Sequence, residues 1–399
     1  MTFYALEEPL LRAALAACAG CLVSLHLHND ANDRLNYYNA AAQMLSDTLT
    51  TIQRDASLCA TAALIIEVVE MLVLGPIESG MRIRAVNTAR SLITECGWNT
   101  RTQGLGGACS WLSIVMELLD CISFQHMIAW DPDTWGIDIN FTVQPSITGN
   151  EELWTQRIIY ICAKVSDLRS SLITQGLSKS TRNAEAQRLQ QWSLYNGWCD
   201  KWFASIPRSM LPLGQVQPWQ RNPQSVFPQV WLIERPAIVA QMLYHVTRIL
   251  LAETDPLRQD RLAEQQQEQQ HHAYNVCGIV SNDKNCGMPI FSAQILAIAA
   301  GHLVDRKAQA EVLTILDEMR RTTGLNTDHL KHKLEETWDW HSHNGQQLLS
   351  ALEATTLPFE FHTHEPGHEY SHIGIADPFS HALTDAHPFL DHHLTYDQS

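Results

Sequence analysis

The sequence predicts an all-α fold: a large multi-helix domain over residues 1–358, followed by a flexible, His-rich C-terminal tail over residues 359–399. Two observations predict the domain. Nearly every long segment repeats its apolar residues at the helical spacing i, i+3 or i+4, and i+7, whereas alternating strand patterns are scarce. The tail follows from a change in composition at Phe359, after which His, Pro, Asp and Thr replace the apolar periodicity.

The first predicted helix contains the stretch CAGCLVSLHLHN, whose cysteines and histidines suggest a zinc site. On a helical wheel Cys18 and Cys21 fall in the apolar stripe, whereas His26 and His28 lie on opposite flanks of it, roughly 160° apart. A structural zinc site needs four convergent ligands, and this spacing does not supply them. We therefore expect a helix face in which the cysteines pack as small hydrophobes.

Ten further segments carry a helical apolar face, and several end at a Gly or Pro stop signal. In chain order they are DRLNYYNAAAQMLSDTLTTI, CATAALIIEVVEMLVLG, RIRAVNTARSLITECG, CSWLSIVMELLDCISFQHMIAW, ELWTQRIIYICAKVSDLRSSL, AEAQRLQQWSLYNGWCDKWFASI, IVAQMLYHVTRILLAETDP, SAQILAIAAGHLVD, RKAQAEVLTILDEMRRTTG and DHLKHKLEETWDW. The second of these is apolar around most of its circumference, so we expect it near the centre of the fold. It carries Glu67 and Glu70 and is too short to span a bilayer.

Three segments between these helices lack a clear helical period and are predicted to be connectors. DPDTWGIDINFTVQPSITGN, residues 131–150, is rich in turn residues. PRSMLPLGQVQPWQRNPQSVFP, from Pro207 to Pro228, is predicted to be a Pro-rich connector. EQQQEQQHHAYNVCG, residues 264–278, is predicted to be a Gln-rich spacer.

The tail contains a literal H-E-x-x-H sequence, in which His364 and Glu365 are followed by His368. In zinc hydrolases this motif lies on a helix that brings both histidines to one face. Here Pro366 and Gly367 occupy the central positions, and these residue types disfavour a helix interior by about 3 and about 1 kcal/mol. We expect a solvated tail, with adventitious binding of Ni²⁺ or Zn²⁺ by its histidines as the alternative.

Charge and cysteine content restrict the class of function. The 43 acidic residues outnumber the 27 basic ones and give a net charge of −16, so we expect no direct nucleic-acid binding by this chain. The ten cysteines follow no disulfide spacing, which suits a reducing compartment. The N-terminus carries acids where a signal peptide would be positive, so we expect a soluble intracellular protein without a membrane partner.

Apart from the H-E-x-x-H sequence of the tail, no sequence motif for catalysis or cofactor binding is present. GLGG at residues 104–107 follows no predicted strand and carries no Lys, so it indicates neither a phosphate loop nor a dinucleotide site. No G-x-S-x-G elbow occurs. We therefore expect no cofactor and no metal, assign no catalytic residue, and leave open whether the protein is an enzyme.

A small-molecule pocket between helices is predicted from polar and aromatic side chains in otherwise apolar segments. Such pockets combine aromatic walls with a few polar groups, and the chain carries 12 tryptophans. The candidate pocket residues are Trp111, Asp120, His126, Tyr244 and His245. The alternative is that they are ordinary core or partly exposed helix positions.

Several segments taken together resemble the fungal-specific transcription factor domain, which is the regulatory region of fungal binuclear zinc-cluster transcription factors. PLLRAALAACAGCLVSLHLHN with YYNAAAQML resembles its first helix pair, and ALIIEVVEMLVLG followed by GMRIRAVNTARSLI is similar to the next pair. Its later segments are similar, in the same order, to CDKWFASIPRSMLPLG, FPQVWLIERPAIVAQMLYHVTRILLAETDP, VCGIV and SAQILAIAAGHLVDRKAQAEVLTILDEMRRTTGLNTDHLKHKLEETW. The resemblance covers Pro9 to Trp338 and lies in the order and spacing of the segments.

The resemblance implies an all-helical fold, a nuclear location and regulation through protein contacts, as a homodimer or with a zinc-cluster transcription factor. It also implies a possible role for a small-molecule effector in the helical core. Members of the family bind DNA through six cysteines that hold two zinc ions, and no such run occurs in this chain. We expect the DNA-binding half to be missing, either because the gene model is truncated or because the protein stands alone.

Two functions are therefore predicted. The first is transcription regulation through the helical domain, which the order of the segments and the acidic charge favour. The second is a standalone helical pocket protein that binds or converts a small apolar metabolite. The tryptophan content, the polar residues within apolar helices and the missing DNA-binding half favour this second function.

Overall fold

The computed structural model describes residues 7–27, 31–74, 80–141, 150–175, 182–220, 225–256, 262–282 and 288–340. Over these ranges the chain forms twelve α-helices, three short 3-10 turns and one sheet of two antiparallel strands. The all-α prediction is therefore confirmed. The predicted tail with its H-E-x-x-H sequence lies outside the described residues, and so does His28.

The helices follow the order of the predicted helical segments. They are α1 (Pro9–Leu27), α2 (Ala31–Leu49), α3 (Ala56–Leu74), α4 (Gly80–Glu95), α5 (Leu105–Phe124), α6 (Glu151–Gln175), α7 (Arg182–Ser205), α8 (Arg235–Glu253), α9 (Leu262–Asn282), α10 (Pro289–Ala300), α11 (Arg306–Thr323) and α12 (Asp328–Thr337). The strands are β1 (Gly214–Val216) and β2 (Gln229–Trp231). The 3-10 turns cover Pro132–Trp135, Arg208–Met210 and Pro218–Gln220.

The four N-terminal helices share one hydrophobic core. Helix α3 packs against α1, α2, α4 and α5, which is the central position that its apolar circumference predicts. Cys21 is buried in the apolar stripe of α1 and Cys18 is half-buried, so both cysteines belong to a helix face. Glu70, buried on α3, accepts a hydrogen bond from the Tyr38 hydroxyl at 2.6 Å and so keeps a polar partner inside this core.

A second, larger core is built by the helices from α5 to α12. Helix α6 packs along α8, and α8 also contacts α7, α9 and α10. Trp154 and Trp202 are among the largest fully buried side chains, and the Trp202 indole N–H donates to the Trp154 carbonyl oxygen at 2.9 Å. Cys18 and Trp130 pack against residues of both cores, so the two cores are in contact.

Helix α5 is the one described helix that is long and apolar enough to cross a membrane. Of its most apolar window, 67% is buried inside the fold, and a buried core helix passes the same test of length and composition. The GLGG sequence forms its beginning: Gly104 has φ of 68°, and a Cβ on Gly107 would overlap the Thr102 carbonyl oxygen. These glycines therefore serve a close backbone approach at the start of α5.

Two predicted connectors contain regular structure. The prediction of a Gln-rich spacer over residues 264–278 is wrong, because this segment forms most of α9. Its apolar residues, among them Ala273 and Val276, are buried along one side of the helix. Glutamine is itself a good helix former, but a helix with so few apolar residues shows little hydrophobic periodicity. The Pro-rich connector contains β1 and two of the 3-10 turns, and it leads directly to β2.

Strand β2 docks on α9. The two strands pair in antiparallel register, with Gly214 opposite Trp231, and the Asn282 side-chain amide donates to the Val230 carbonyl oxygen at 2.8 Å. Just before β2, the Pro228 carbonyl oxygen lies where a Cβ on residue 278 would stand. The docking of the strands on α9 therefore requires glycine at position 278.

Gly278→Ala should lower the free energy of unfolding by about 1–3 kcal/mol, because the added methyl group forces β2 away from α9. Gly197→Ala is the matched control, since Gly197 also lies within a helix, α7, but has no atom within 4 Å of the position of a Cβ. That substitution should raise the free energy of unfolding by about 0.5–1 kcal/mol through helix propensity. Urea denaturation followed by circular dichroism measures both changes, and a wild-type value for Gly278→Ala would contradict the close contact.

Candidate ligand-binding site

An open cleft of about 860 Å³ lies between α9 and the segments that carry the two strands. One side, the helix wall, consists of five residues of α9: Gln267, Gln270, His271, Tyr274 and Asn275. The other side, the strand wall, consists of Gln215, Gln217, Pro218 and Trp219 on and after β1 and of Ser225, Val226 and Pro228 before β2. The volume lies within the range of about 300–1,000 Å³ that is typical of small-molecule sites.

The helix wall exists because α9 has two different faces. Its five residues recur at i, i+3, i+4, i+7 and i+8, so that one stripe of polar and aromatic side chains faces the cleft. The opposite stripe is buried in the larger core and includes His272, Val276 and Ile279. One helix therefore supplies both a wall of the cleft and a part of the core.

Hydrogen bonds fix the strand wall to its surroundings. The Gln215 side-chain amide donates to Asn275 Oδ1 of the helix wall at 2.9 Å. The Ser225 hydroxyl donates to the carboxylate of Glu311 on α11, and the Val226 backbone N–H donates to the same carboxylate at 2.9 Å. The strand wall is therefore joined both to the helix wall and to α11.

Some polar side chains of the cleft are already satisfied, whereas others are not. Both ends of the Gln270 amide are used, since Nε2 donates to the His302 carbonyl oxygen and Oε1 accepts from the Val304 N–H at 3.4 Å. Among the described residues, the side-chain amides of Gln217 and Gln267 bond to no protein group. Because each amide offers both donor and acceptor atoms, the cleft keeps hydrogen-bonding capacity for a ligand.

The electrostatic environment of the cleft disfavours anions. In the part of the lining that the structure describes there is no Asp, Glu, Lys or Arg side chain, but acidic groups lie close behind. Burial, and in addition the carboxylates of Asp305 and Glu311, raise the pKa of Tyr274 above its ordinary value. Surroundings that disfavour a tyrosinate also disfavour a bound phosphate or carboxylate, so the cleft suits an uncharged ligand.

A hydrogen-bonded histidine pair lies behind the helix wall. His271 faces the cleft, and the next residue, His272, is buried with its ring centroid 5.2 Å from that of His271. The Nδ1 atoms of His272 and of His245 on α8 are 2.7 Å apart, so one neutral ring donates and the other accepts. Tyr244 packs edge-on against both rings, with centroid distances of 5.3 Å to His245 and 5.9 Å to His272.

Burial keeps this histidine pair uncharged. Burial, with a smaller contribution from the neighbouring His271, lowers the pKa of His245 to about 3 and the pKa of His272 to about 2, and His245 contributes to the lowering at His272. The positive charge of Arg248 also lowers the pKa of His272. That charge is balanced by Glu268, whose Oε1 accepts from Arg248 Nε at 3.1 Å, and this ion pair joins α8 to α9 beside the histidines.

Of the five residues predicted to line a pocket, Tyr244 and His245 lie together on α8, with Tyr244 stacked on Trp202 and Phe203. They contact the buried side of α9 through His272. Neither of them lines the cleft.

The other three predicted residues lie on α5 or directly after it. The Trp111 indole N–H donates to a backbone carbonyl oxygen, that of Thr100, at 3.3 Å. Asp120 is half-buried on the same helix. His126 is exposed, with its Nδ1 3.2 Å from Cys121 Sγ. These three residues do not line the cleft either.

Sequence reasoning misses the cleft because all of its residues lie in two segments that were predicted to be connectors. A usable signal is nevertheless present. Gln267, His271, Tyr274 and Asn275 share one face if their segment is placed on a helix, and a tryptophan, Trp219, stands in a Pro-rich segment without apolar periodicity.

No group of three or more His, Cys, Asp or Glu side chains that could hold a metal ion occurs in the part of the chain that the structure describes. A scan against protein-family models and searches of curated proteins and of solved structures found no match to this chain. The geometry of the cleft and the resemblance carried by the sequence are therefore the two grounds for a functional proposal.

Acid should destabilise the fold through the histidine pair. The ordinary pKa of histidine is about 6.5, and both folded-state values lie below it. Below about pH 6.5 the unfolded chain binds protons that the folded chain excludes, so the stabilisation is present above this pH and is lost as the pH falls. Between about pH 7.5 and about pH 5.5, each histidine should reduce the free energy of unfolding by about 1.4 kcal/mol.

Urea denaturation at these two pH values measures the loss. His245→Asn and His272→Asn keep an amide for the hydrogen bond but cannot titrate, so each should remove about 1.4 kcal/mol of the loss. The double variant should remove both contributions. Each variant is compared with itself at the two pH values, which cancels any change in its overall stability. A double variant that loses as much stability on acidification as the wild type would show that the folded pair accepts protons.

Proposed function

We propose that this chain is the helical regulatory domain of a transcription regulator of the fungal zinc-cluster type, and that the cleft between the helix wall and the strand wall binds its small-molecule effector. The observation that carries the proposal is the cleft itself, which combines a ligand-sized volume, exposed aromatic surface and unused amide groups. The regulatory role is supported by the segments from Pro9 to Trp338 that resemble the fungal-specific transcription factor domain.

The chemistry of the cleft favours binding over conversion. Its polar groups are mainly neutral amides, which donate and accept hydrogen bonds but do not take up or release protons at ordinary pH. Each neutral hydrogen bond contributes only about 1 kcal/mol net. Aromatic and apolar contacts, above all those to Trp219 and Tyr274, must therefore supply the rest of the affinity.

Ligand binding would act on the position of α9 relative to the strands. Gln215 and Asn275 already connect the two walls, and a ligand that touches both walls would favour the arrangement that it fits best. Such a ligand shifts the equilibrium only by its difference in affinity between the two arrangements. Because the other face of α9 contacts α8 through His272 and Glu268, a shift of α9 would reach α8 first.

The regulator would act in the nucleus through protein partners. Its net charge of −16 opposes direct contact with DNA phosphates. The partner would be a second copy of the chain or a zinc-cluster transcription factor, as the resemblance implies.

A second candidate function is that of a standalone helical protein that binds or converts a small metabolite. One observation favours it: the described lining of the cleft already combines aromatic surface with neutral hydrogen-bonding amides, which is what binding of a small metabolite requires. The two candidates differ in whether occupancy of the cleft changes transcription.

A fusion of the full chain to a heterologous DNA-binding domain should change the output of a reporter gene severalfold relative to that DNA-binding domain alone. Trp219→Ala should abolish the dependence of this output on the effector, because it removes an aromatic surface of the cleft while leaving the core intact. Ile52→Ala is the control, since Ile52 is a 99% exposed apolar side chain outside the cleft. Reporter output equal to that of the DNA-binding domain alone would contradict regulation and leave the standalone function.

The purified chain should self-associate or capture a purified zinc-cluster transcription factor, because the proposed regulator acts through a partner. Size-exclusion chromatography with light scattering measures the mass of the chain alone and of the mixture. A monomeric mass in both experiments would contradict the proposed partners while leaving ligand binding to the cleft intact.

A further inference from the structure

We infer that the cleft between the helix wall and the strand wall binds an uncharged, planar heteroaromatic ligand that carries an adjacent hydrogen-bond donor and acceptor along one edge, which is the chemistry of a nucleobase. This inference rests on the proposed function only in using the same cleft. It names the class of ligand, which the proposed function leaves open.

We infer the planar shape of the ligand from the two aromatic residues that line the cleft, Trp219 and Tyr274. Trp219 belongs to the strand wall and is 80% exposed, so most of its indole surface is available to a ligand. Tyr274 belongs to the helix wall and is held by an edge-on contact with Phe227, at a centroid distance of 5.4 Å. Pro218 and Pro228 add flat apolar surface beside them. An aromatic ligand gains most from such walls because its whole face can stack.

We infer the hydrogen-bond donor and acceptor along one edge of the ligand from the side-chain amides that are unused in the cleft. The amide of Gln267 on the helix wall and that of Gln217 on the strand wall have no protein partner among the described residues. Gln215 uses its Nε2 atom on Asn275, which leaves its Oε1 atom as an acceptor. A side-chain amide makes two parallel hydrogen bonds to a ligand edge that presents one donor beside one acceptor, as adenine does with N6 and N7.

We infer that the ligand is uncharged from the side chains that line the cleft and from the carboxylate that lies behind the strand wall. Among the described residues that line the cleft there is no Asp, Glu, Lys or Arg, so a charged ligand would find no counter-ion among them. The carboxylate of Glu311 is held by Ser225 and Val226 directly behind the strand wall. This negative charge opposes a phosphate group, so a free base or a nucleoside fits better than a nucleotide.

Adenine is the probe that tests this inference, and purine, which lacks the exocyclic amine, is its matched comparison. Saturation-transfer NMR and a fluorescence titration of the full chain should show adenine binding with Kd on the order of 1 mM or tighter. Purine should bind about fivefold more weakly because it loses one hydrogen bond. Adenosine monophosphate should bind more weakly than adenosine, and glucose, which has no aromatic face, should give no signal.

Two variants locate the binding. Trp219→Ala should weaken adenine binding about tenfold through the lost stacking, and Gln267→Leu should weaken it about fivefold through the lost amide. Gln187→Leu is the matched control, because Gln187 is an exposed glutamine on a helix, α7, that does not line the cleft. This control should bind adenine as the wild type does. Since all three residues are exposed, none of these substitutions removes part of a core.

Loss of binding in Trp219→Ala and Gln267→Leu, with normal binding in Gln187→Leu, supports the inference. No adenine signal at millimolar concentration, or tighter binding of the nucleotide than of the nucleoside, overturns it. Adenine binding that neither cleft variant weakens also overturns it, because the ligand then binds elsewhere. The reporter assay with Trp219→Ala is read separately: a reporter that depends on the cleft without adenine binding keeps the proposed function and rejects only this ligand class.

Discussion

Helix α9 has to bury one side in the larger core while its other side stays in water, and the cleft and its surroundings depend on this constraint. The buried side carries His272, Val276 and Ile279, which fix the helix against its neighbours. That fixed position leaves a stripe of glutamine, histidine, tyrosine and asparagine side chains lining the cleft at helical spacing. The strands then need only approach this stripe to close a cleft.

The approach of the strands is controlled by the burial of Phe227 and Val230 in the larger core, by backbone contact and by hydrogen bonding to a carboxylate. The carbonyl oxygen of Pro228 occupies the space that a side chain at Gly278 would fill, and Glu311 holds the backbone N–H of Val226 at 2.9 Å. Side chains of the strand wall are therefore left partly exposed, and Trp219 is the clearest case. A surface of this kind can exchange water for a ligand at little cost to the core.

The polar groups at the contact between α8 and α9 are matched in pairs. His245 and His272 satisfy each other as neutral rings, and Arg248 is balanced by Glu268. A neutral pair costs less free energy to bury than a charged pair. It also makes the free energy of unfolding depend on pH, because the histidines take up protons when the chain unfolds. The helix that supplies the cleft is thus held by interactions that are sensitive to protonation, and the same helix face would transmit any shift that a ligand causes.

The helical part of the fold is predictable from the sequence because its signal is local. The apolar residues of α3 cover most of its circumference, and their pattern alone predicts its central position. Likewise, Cys18 and Cys21 lie one turn apart, and their spacing is enough to assign them to a helix face. A segment with strong apolar periodicity buries its apolar face in any helical fold, whichever helices surround it. Its helix can therefore be predicted without knowing the tertiary structure.

The sequence by itself determined the all-α class, the order of the described helices other than α9, the acidic charge and the packing role of Cys18 and Cys21. Only the tertiary structure decided where a ligand-sized cleft forms. The Gln-rich segment 264–270 is helical because of what Ala273 and Val276 contact in the core, and the Pro-rich segment forms a wall because Gly278 admits the backbone at Pro228. The physical reason is that a cleft is a relation between surfaces that lie far apart in sequence, and no local pattern records how closely two such surfaces approach.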